Sequence, residues 1–336
     1  LFFSYEYRNS TDFEKTFTKL LSFLILAPSI TILIFLLFYV VGYNKAVPFG
    51  EGENLFLSLL GIHLEKRNIP FINAHPNTIG IYAGATLVMS VIGIWTLQLE
   101  KKYHTLLLVN VAICSIFLLV VDSRGTILNT LIAILAVYVL NRIHAVSMLR
   151  YVVIISPFLP FIMLFVLSTF ADNPLIAQLS RNEGDLETGN SRGIIWQYCL
   201  NELMDVKPIH FIGYGANGQV PSGVSKLYAY FFSEEGGDQM ITHNYFIQSL
   251  FDLGYIGSFM LLAVMYIAIT NAIDMYKGRI KSALVLIGFM TYYTLSGTTE
   301  STFGVYNRIY NSIFIMVLIF ILLSKNEFDY YAAKEE

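Results

Sequence analysis

Apolar residues in this chain come in long, nearly unbroken runs, and that feature leaves few folds open. A backbone inside hydrocarbon must satisfy its own polar groups, so a run of about 18 or more apolar residues fits a membrane-crossing helix and little else. Runs approaching or exceeding that length cover residues 20–42, 78–97, 104–121, 125–140, 151–170, 245–269, 283–299 and 308–323, those at 125–140 and 308–323 being short. The spacing predicts an all-α fold, a polytopic transmembrane helical bundle of about eight spans. Composition agrees: 55% of the residues are hydrophobic and 13% charged, where a soluble domain carries about 25% charged residues. Membrane lipids are therefore expected partners, and nucleic acid is not.

The chain starts at Leu1 rather than Met, and LFFSYEYRN reads as the tail of something preceding it, so further helices are expected upstream. Arg8, Lys15 and Lys19 precede a first run too long for the apolar core of a signal peptide, which makes it a retained helix. The net charge of −3 says little, but the distribution of cations sets an orientation. With residues 1–19 in the cytoplasm, Lys101, Lys102, Arg142, Arg150, Lys277, Arg279, Lys281 and Lys325 all fall in short cytoplasmic segments, as the positive-inside rule requires. The two cysteines suggest no disulfide, Cys114 lying in an apolar run and Cys199 in a loop.

This topology predicts N-terminal transmembrane helices over 1–170, a large outer loop over 171–243, and C-terminal helices with a short cytoplasmic tail over 244–336. Two smaller outer segments are 43–77, whose LFLSLLGIHL suits an interfacial or re-entrant helix, and 300–307. Cytoplasmic connections of about 7 to 12 residues are too small for a catalytic domain, which puts any chemistry at the outer interface. The apolar runs lack ionisable residues at their centres, where such groups commonly mark ion paths.

Within the large loop, GNSRGIIWQYCLNELMD offers Asn190 or Ser191 as the cap of a helix whose Ile194, Ile195, Tyr198, Leu200, Leu203 and Met204 make a broad face along the membrane. Pro208 ends that helix, and Gly213, Gly215 and Gly218 permit a turn in which backbone approaches another group closely.

Five of the nine arginines fall on the outer side: Arg67, Arg124, Arg181, Arg192 and Arg308. Arg124 sits in a tight turn between two apolar runs, as a partner of Asp122 and the headgroups or as a fork for phosphate. Arg192 falls in the first turn of the loop helix, where the helix dipole disfavours a cation unless an anion is also present. His243, in ITHNYFIQSLFDLG, is either an interfacial cap or a base, since histidine titrates near neutral pH. Asn244 and Asp252 read as supports of the helix mouth, and Glu300 is ambiguous. His63, His75 and His210 show no metal-ligand spacing, so no metal is expected. Tyr228, Tyr230, Phe231 and Phe232 suit either sugar stacking or the bilayer interface.

In order, NAHPNTIG at 73–80, SRG at 123–125, SRGIIW at 191–196, PIHFIGYGANG at 208–218 and HNYFIQSLFDLGYIG at 243–257 resemble the O-antigen ligase and polymerase family of bacterial envelope glycosyltransferases. The resemblance covers roughly residues 70–270, and Asp252 stands where the family commonly has glutamate. It implies a metal-independent enzyme without cofactors in the cytoplasmic membrane, its site on the periplasmic or extracellular face. The donor would be an undecaprenyl-diphosphate-linked glycan, the acceptor a glycan or lipid, and a flippase and a chain-length regulator would be partners. By motif, Arg124 and Arg192 would hold the donor diphosphate and His243 would activate the acceptor hydroxyl, with Asn244, Asp252 and Arg308 in support. The leading expectation is a polymerase of lipid-linked repeat units. The nearest alternative is a ligase moving a finished glycan onto lipid A-core or another acceptor, and the more distant one is a transporter or flippase of lipid-linked sugars.

Overall fold

A computed structural model describes residues 2–10, 12–59, 61–71, 75–169, 192–229, 241–302 and 309–335. The fold is the expected all-α polytopic bundle. Six helical segments are long and apolar enough to cross a membrane: Phe13–Lys45, Pro76–Thr96, Lys101–Val120, Arg124–Arg142, Tyr245–Lys277 and Asn311–Ala333.

The other two apolar runs are helical but differ from simple spans. Over 151–170 the chain forms two helices, Tyr151–Ile155 and Leu159–Thr169, bent by 83° between Val146–Ile155 and Leu159–Val166. The reason lies in SPFLP: Pro157 has no N–H for the ladder and disfavours helical geometry at Ser156. Over 283–299 the helix is Leu284–Gly297, 14 residues long, or about 21 Å, short of a hydrocarbon core of about 30 Å. All its residues from Leu284 to Thr294 are buried, as expected of a helix apolar on every side.

The chain divides into two compact units, Leu1–Arg150 with Ile267–Tyr293 and Arg308–Glu336, and Tyr151–Tyr266 with Thr294–Asn307. In the first unit, α1 (Phe2–Arg8) and α2 (Phe13–Gly42) lead to a hairpin of β1 (Pro48–Glu53) and β2 (Glu65–Arg67). These two antiparallel strands make the only sheet among the described residues. Between them, α3 (Leu55–Leu59) takes only half of the LFLSLLGIHL run. It stops because Gly61 takes φ 77 while Ile62 N donates to Leu57 O, the closing pattern of a glycine-capped helix. Of the ten-residue run, residues 55–59 therefore form a short turn of helix inside a hairpin.

Helix α4 (Pro76–Thr96) is the hub of this unit, packed by α2, α5 (Lys101–Val120) and α6 (Arg124–Arg142). Small residues make that possible. A Cβ on Gly80 would meet Ser123 at 2.8 Å, and Gly84 lies directly against the Tyr292 hydroxyl, which donates to Ile81 O at 2.9 Å. Asn110 Nδ2 on α5 donates to Ser90 Oγ at 2.7 Å, a buried polar tie between spans of the kind worth roughly 0.6 kcal/mol in a membrane.

The second unit is built around α7 (Tyr151–Ile155), α8 (Leu159–Thr169), the loop helix α9 (Arg192–Met204), a single turn α10 (Ile209–Ile212), α11 (Val224–Ala229) and the start of α12 (Tyr245–Lys277). Its core joins Ile195, Trp196, Cys199 and Leu203 of α9 to Val224 and Tyr228 of α11 and Ile247, Leu250 and Phe251 of α12. The buried face of α9 thus centres on Trp196 and Cys199, whereas Met204 is exposed. Cys199 lies in this helix rather than in a loop, and both cysteines are free.

Candidate active site

The start of α12 is shaped by a helix break. Gly254 takes φ 70 and ψ −176, a region essentially reserved for glycine. That break leaves the Phe251 and Asp252 carbonyls without their normal helical partners, and the glycine turn after α10 supplies them: Tyr214 N donates to Phe251 O at 2.7 Å and Gly215 N to Asp252 O at 3.1 Å. The two backbones touch. A Cβ on Gly213, itself at φ 83, would fall 2.5 Å from Asp252 O, and one on Gly254 would fall 2.5 Å from Gly213 N. The close approach expected of the glycine cluster is therefore present, and the expected span over 245–269 carries a break at Gly254.

Asp252 ties this junction from the side. Its Oδ1 accepts from Gly218 N at 2.8 Å and from Gln248 Nε2 at 2.9 Å, and the residue is buried. Pro208 also differs from expectation: α9 ends at Met204, and Pro208 begins the one-turn helix Ile209–Ile212. Proline suits a helix start, where its missing N–H has no partner to lose.

His243 stands immediately before α12 with φ 50, a left-handed conformation uncommon outside glycine. Its neighbours fix it there. Asn244 is buried, and its Oδ1 caps the helix by accepting from Phe246 N and Ile247 N, both at 2.9 Å, while its Nδ2 donates to Thr298 O at 3.2 Å. Thr242 on the other side is equally buried: its N–H donates to Gln248 Oε1 and its carbonyl accepts from Trp196 Nε1 at 2.8 Å. The cap expected of the His-Asn pair is thus made by Asn244, and the histidine ring is left for another role.

That ring meets Glu300. His243 Nδ1 lies 3.1 Å from Glu300 Oε2, and Arg192 Nη2 donates to Glu300 Oε1 at 2.8 Å. Side-chain exposures of 22% for His243, 21% for Arg192 and 15% for Glu300 leave each partly open to solvent. One carboxylate therefore joins the imidazole to the guanidinium. Arg192 opens α9, so the anion that its position at a helix N-terminus calls for is Glu300. Sequence spacing had linked neither residue to Glu300, which lies 57 positions from His243 and 108 from Arg192.

Arg124 belongs to the first unit and opens α6. Its Nε lies 3.4 Å from Asp122 Oδ1 and its Nη2 3.5 Å from Oδ2, and Lys66 Nζ lies 3.1 Å from Oδ2 of the same carboxylate. Arg308 and the aromatic residues Tyr230, Phe231 and Phe232 lie outside the described residues, as do Asn190, Ser191 and Arg181. Tyr228 is fully buried in the core of the second unit and is not presented to a sugar. His75 caps α4 by accepting from Asn77 N, His63 pairs with Glu53, and His210 is buried with its Nδ1 accepting from Lys207 N at 3.3 Å. Among the described residues no three His, Cys, Asp or Glu side chains gather as a metal site would require.

A comparison with curated proteins found no match. Residues 109–262 match the family model described as O-Antigen ligase, a stretch that contains Arg124, Arg192, His243 and Asp252. Through that segment, somewhat under half of its length, the chain is similar to the O-antigen ligase/polymerase family, integral-membrane enzymes of glycosyltransferase type.

Proposed function

We propose that this chain polymerises undecaprenyl-diphosphate-linked repeat units of a surface polysaccharide at the outer face of the cytoplasmic membrane. The observation that carries the reading is the Arg192–Glu300–His243 bridge, which couples a base to a phosphate-type cation through one carboxylate. With Nδ1 held by Glu300, His243 presents Nε2 as the proton acceptor. The acceptor hydroxyl gives its proton to Nε2 as its oxygen bonds to the donor's anomeric carbon. The bond from that carbon to the phosphate oxygen breaks, and the diphosphate leaves with the electron pair. Glu300 stabilises the imidazolium that forms, as a carboxylate does for a histidine base in other acyl- and group-transfer sites.

The departing diphosphate gains negative charge, and fixed cations favour that step most. Arg192 supplies one. It reaches Glu300 through Nη2, and a guanidinium carries five N–H donors, so a phosphate oxygen can be held without breaking the pair. Arg124, in the first unit, keeps the donor role that the resemblance gives it. Asn244 and Asp252 serve as supports: the first caps the helix behind His243 and the second ties the glycine turn to it. The orientation favoured by the Lys and Arg distribution puts this chemistry outside, where a lipid-linked donor and its sugar acceptor meet.

The test is an assay of the purified chain with lipid-linked repeat units as the sole substrate. Elongation without a second acceptor is the expected result. Absence of elongation together with transfer to a lipid A-core acceptor would overturn the polymerase reading in favour of a ligase. Loss of transfer in His243→Ala, with the protein still inserted and folded, is expected, and a variant of near wild-type rate would remove the base assignment.

A further inference from the structure

The segment that follows α9 is built inside out for a loop in water. Its histidine is buried: His210 Nδ1 accepts from Lys207 N at 3.3 Å, and Nε2 lies 3.1 Å from the Tyr214 hydroxyl. Its large apolar side chains are turned outward instead, Met204 being 76% exposed, Val206 62%, Phe211 45% and Ile212 70%. Water favours the reverse arrangement. Four such residues within the nine positions 204–212 mark a contact surface for something apolar.

Helix α12 identifies that partner. Between Asp252 and Asp274 the chain runs for 21 residues without a charged side chain, about 32 Å of helix, which matches a hydrocarbon core of about 30 Å. Gly254 therefore stands at one edge of that core. The segment is fastened at the same edge by three contacts. Tyr255 Oη donates to Leu203 O at 2.5 Å, the Phe211 and Tyr255 rings meet edge-on with centroids 5.5 Å apart, and a Cβ on Gly254 would fall 2.5 Å from Ile212 N. On α12 itself Leu253 and Ile256 are exposed at this level, so the outward side chains of the segment continue the surface that the span turns to lipid.

We infer that residues 204–212 insert into the bilayer leaflet at the Gly254 end of α12, with membrane lipid as the partner of Met204, Val206, Phe211 and Ile212. The inference is independent of the transfer chemistry proposed above. Asp205 is exposed among these side chains, which holds the insertion at the boundary between headgroups and acyl chains, about 5–10 Å deep for interfacial segments. Lys207 pairs with Glu202 at 2.5 Å and suits the same level, where a long stem lies in the apolar layer and its ammonium in the polar one. The apolar face of α9 is spent on the core of the second unit, so the membrane contact falls to the segment after it. Because the glycine turn that follows closes the carbonyls of Phe251 and Asp252, this anchor sets the height at which the start of α12, with His243 just before it, stands at the bilayer.

The experiment places one nitroxide at a time on the full chain in phospholipid nanodiscs, at Met204→Cys, Val206→Cys or Ile212→Cys, with Asn201→Cys, an exposed polar position of α9, as comparator. Cys114 and Cys199 are buried, and any label taken up by the unsubstituted chain is subtracted. Saturation EPR then compares collisions with oxygen, which concentrates in lipid, and with a nickel chelate, which stays in water. Labels at 204, 206 and 212 are expected to collide chiefly with oxygen and to lose the chelate collisions that the label at 201 keeps. If they prefer the chelate as the comparator does, the segment lies in water and the inference is overturned. If they collide with neither, protein covers these side chains, whether another part of the chain or a second copy, and lipid is not their partner. Three separate positions keep the measurement decisive should one variant fail to insert.

Discussion

Replacing Glu300 by glutamine removes one charge at nearly constant shape, and the geometry dictates what must change. Glu300 accepts from Arg192 Nη2 at 2.8 Å through one oxygen and faces His243 Nδ1 at 3.1 Å with the other. A glutamine has a single carbonyl oxygen. Arg192 always donates, so that oxygen turns to Arg192 and the amide NH2 faces Nδ1. Nδ1 must then accept, which puts the ring proton on Nε2 and blocks the nitrogen proposed to take the acceptor's proton. The lost interaction with the imidazolium alone, a hydrogen bond to a charged partner at 15% and 22% exposure, is worth roughly 1.5–3 kcal/mol. At about 1.4 kcal/mol per tenfold, kcat falls roughly 10- to 150-fold, and the wrong tautomer drives the loss toward the upper end. Arg192 meanwhile loses its competing carboxylate, so the donor KM holds or falls. The assay is steady-state elongation with lipid-linked repeat units, with donor KM and kcat resolved separately and thermal unfolding as the folding control. A folded variant with kcat within about threefold of wild type would refute the coupling of Glu300 to the base. A raised donor KM at unchanged kcat would make Glu300 a donor-binding group instead.

Gly254→Ala forces a side chain into φ 70, ψ −176 and against Gly213 N, at a backbone cost of about 1–3 kcal/mol before the clash; a lowered melting temperature in detergent is expected, and an unchanged one would contradict the backbone junction. Asp252→Asn keeps the Oδ1 acceptor for Gly218 N, so transfer within a few-fold of wild type separates a structural carboxylate from a reacting one, and an inactive but folded variant would reverse that assignment. Asn244→Ala removes both cap bonds to Phe246 N and Ile247 N, and a loss of about 1 kcal/mol in stability is expected; equal stability would mean that the cap contributes nothing measurable. Burial pushes the Cys199 thiol well above its usual range. The folded state then keeps a proton that the unfolded chain sheds above about pH 8.5, so this residue's contribution to stability is full below that pH and is lost as pH rises. Maleimide labelling of Cys199 should appear only on denaturation, and labelling of the native protein at neutral pH would refute its burial.

Membrane class was legible because it depends on composition summed over long windows, and the eight apolar runs each became helix. What the runs hid was where helices break. The SPFLP sequence carries its own signal, since a proline inside a run interrupts the ladder wherever it stands. Gly254 carries none. Glycine is common in membrane helices, and its left-handed backbone here exists only because Tyr214 and Gly215, some forty positions earlier, satisfy the carbonyls that the break releases. Lys66 was hidden for a related reason. A three-residue strand shows too little alternation to reveal which side its middle residue takes, and only pairing with β1 makes Lys66 point inward.

The site divides along the same line. Asn244 was readable as a cap because capping is a contact between near neighbours, and it does cap. Glu300 looked like any carboxylate at the end of a span, since nothing local joins it to His243. Yet one electrostatic oddity pointed toward it. Arg192 sits where α9's own dipole repels a cation, a position that calls for a nearby anion. The group that answers is Glu300, and the same carboxylate holds His243. The misplaced charge therefore marks more than a surface arginine. On the proposed function, that one carboxylate stands between the cation meant for the diphosphate and the imidazole meant for the acceptor hydroxyl, so removing its charge tests both roles at once.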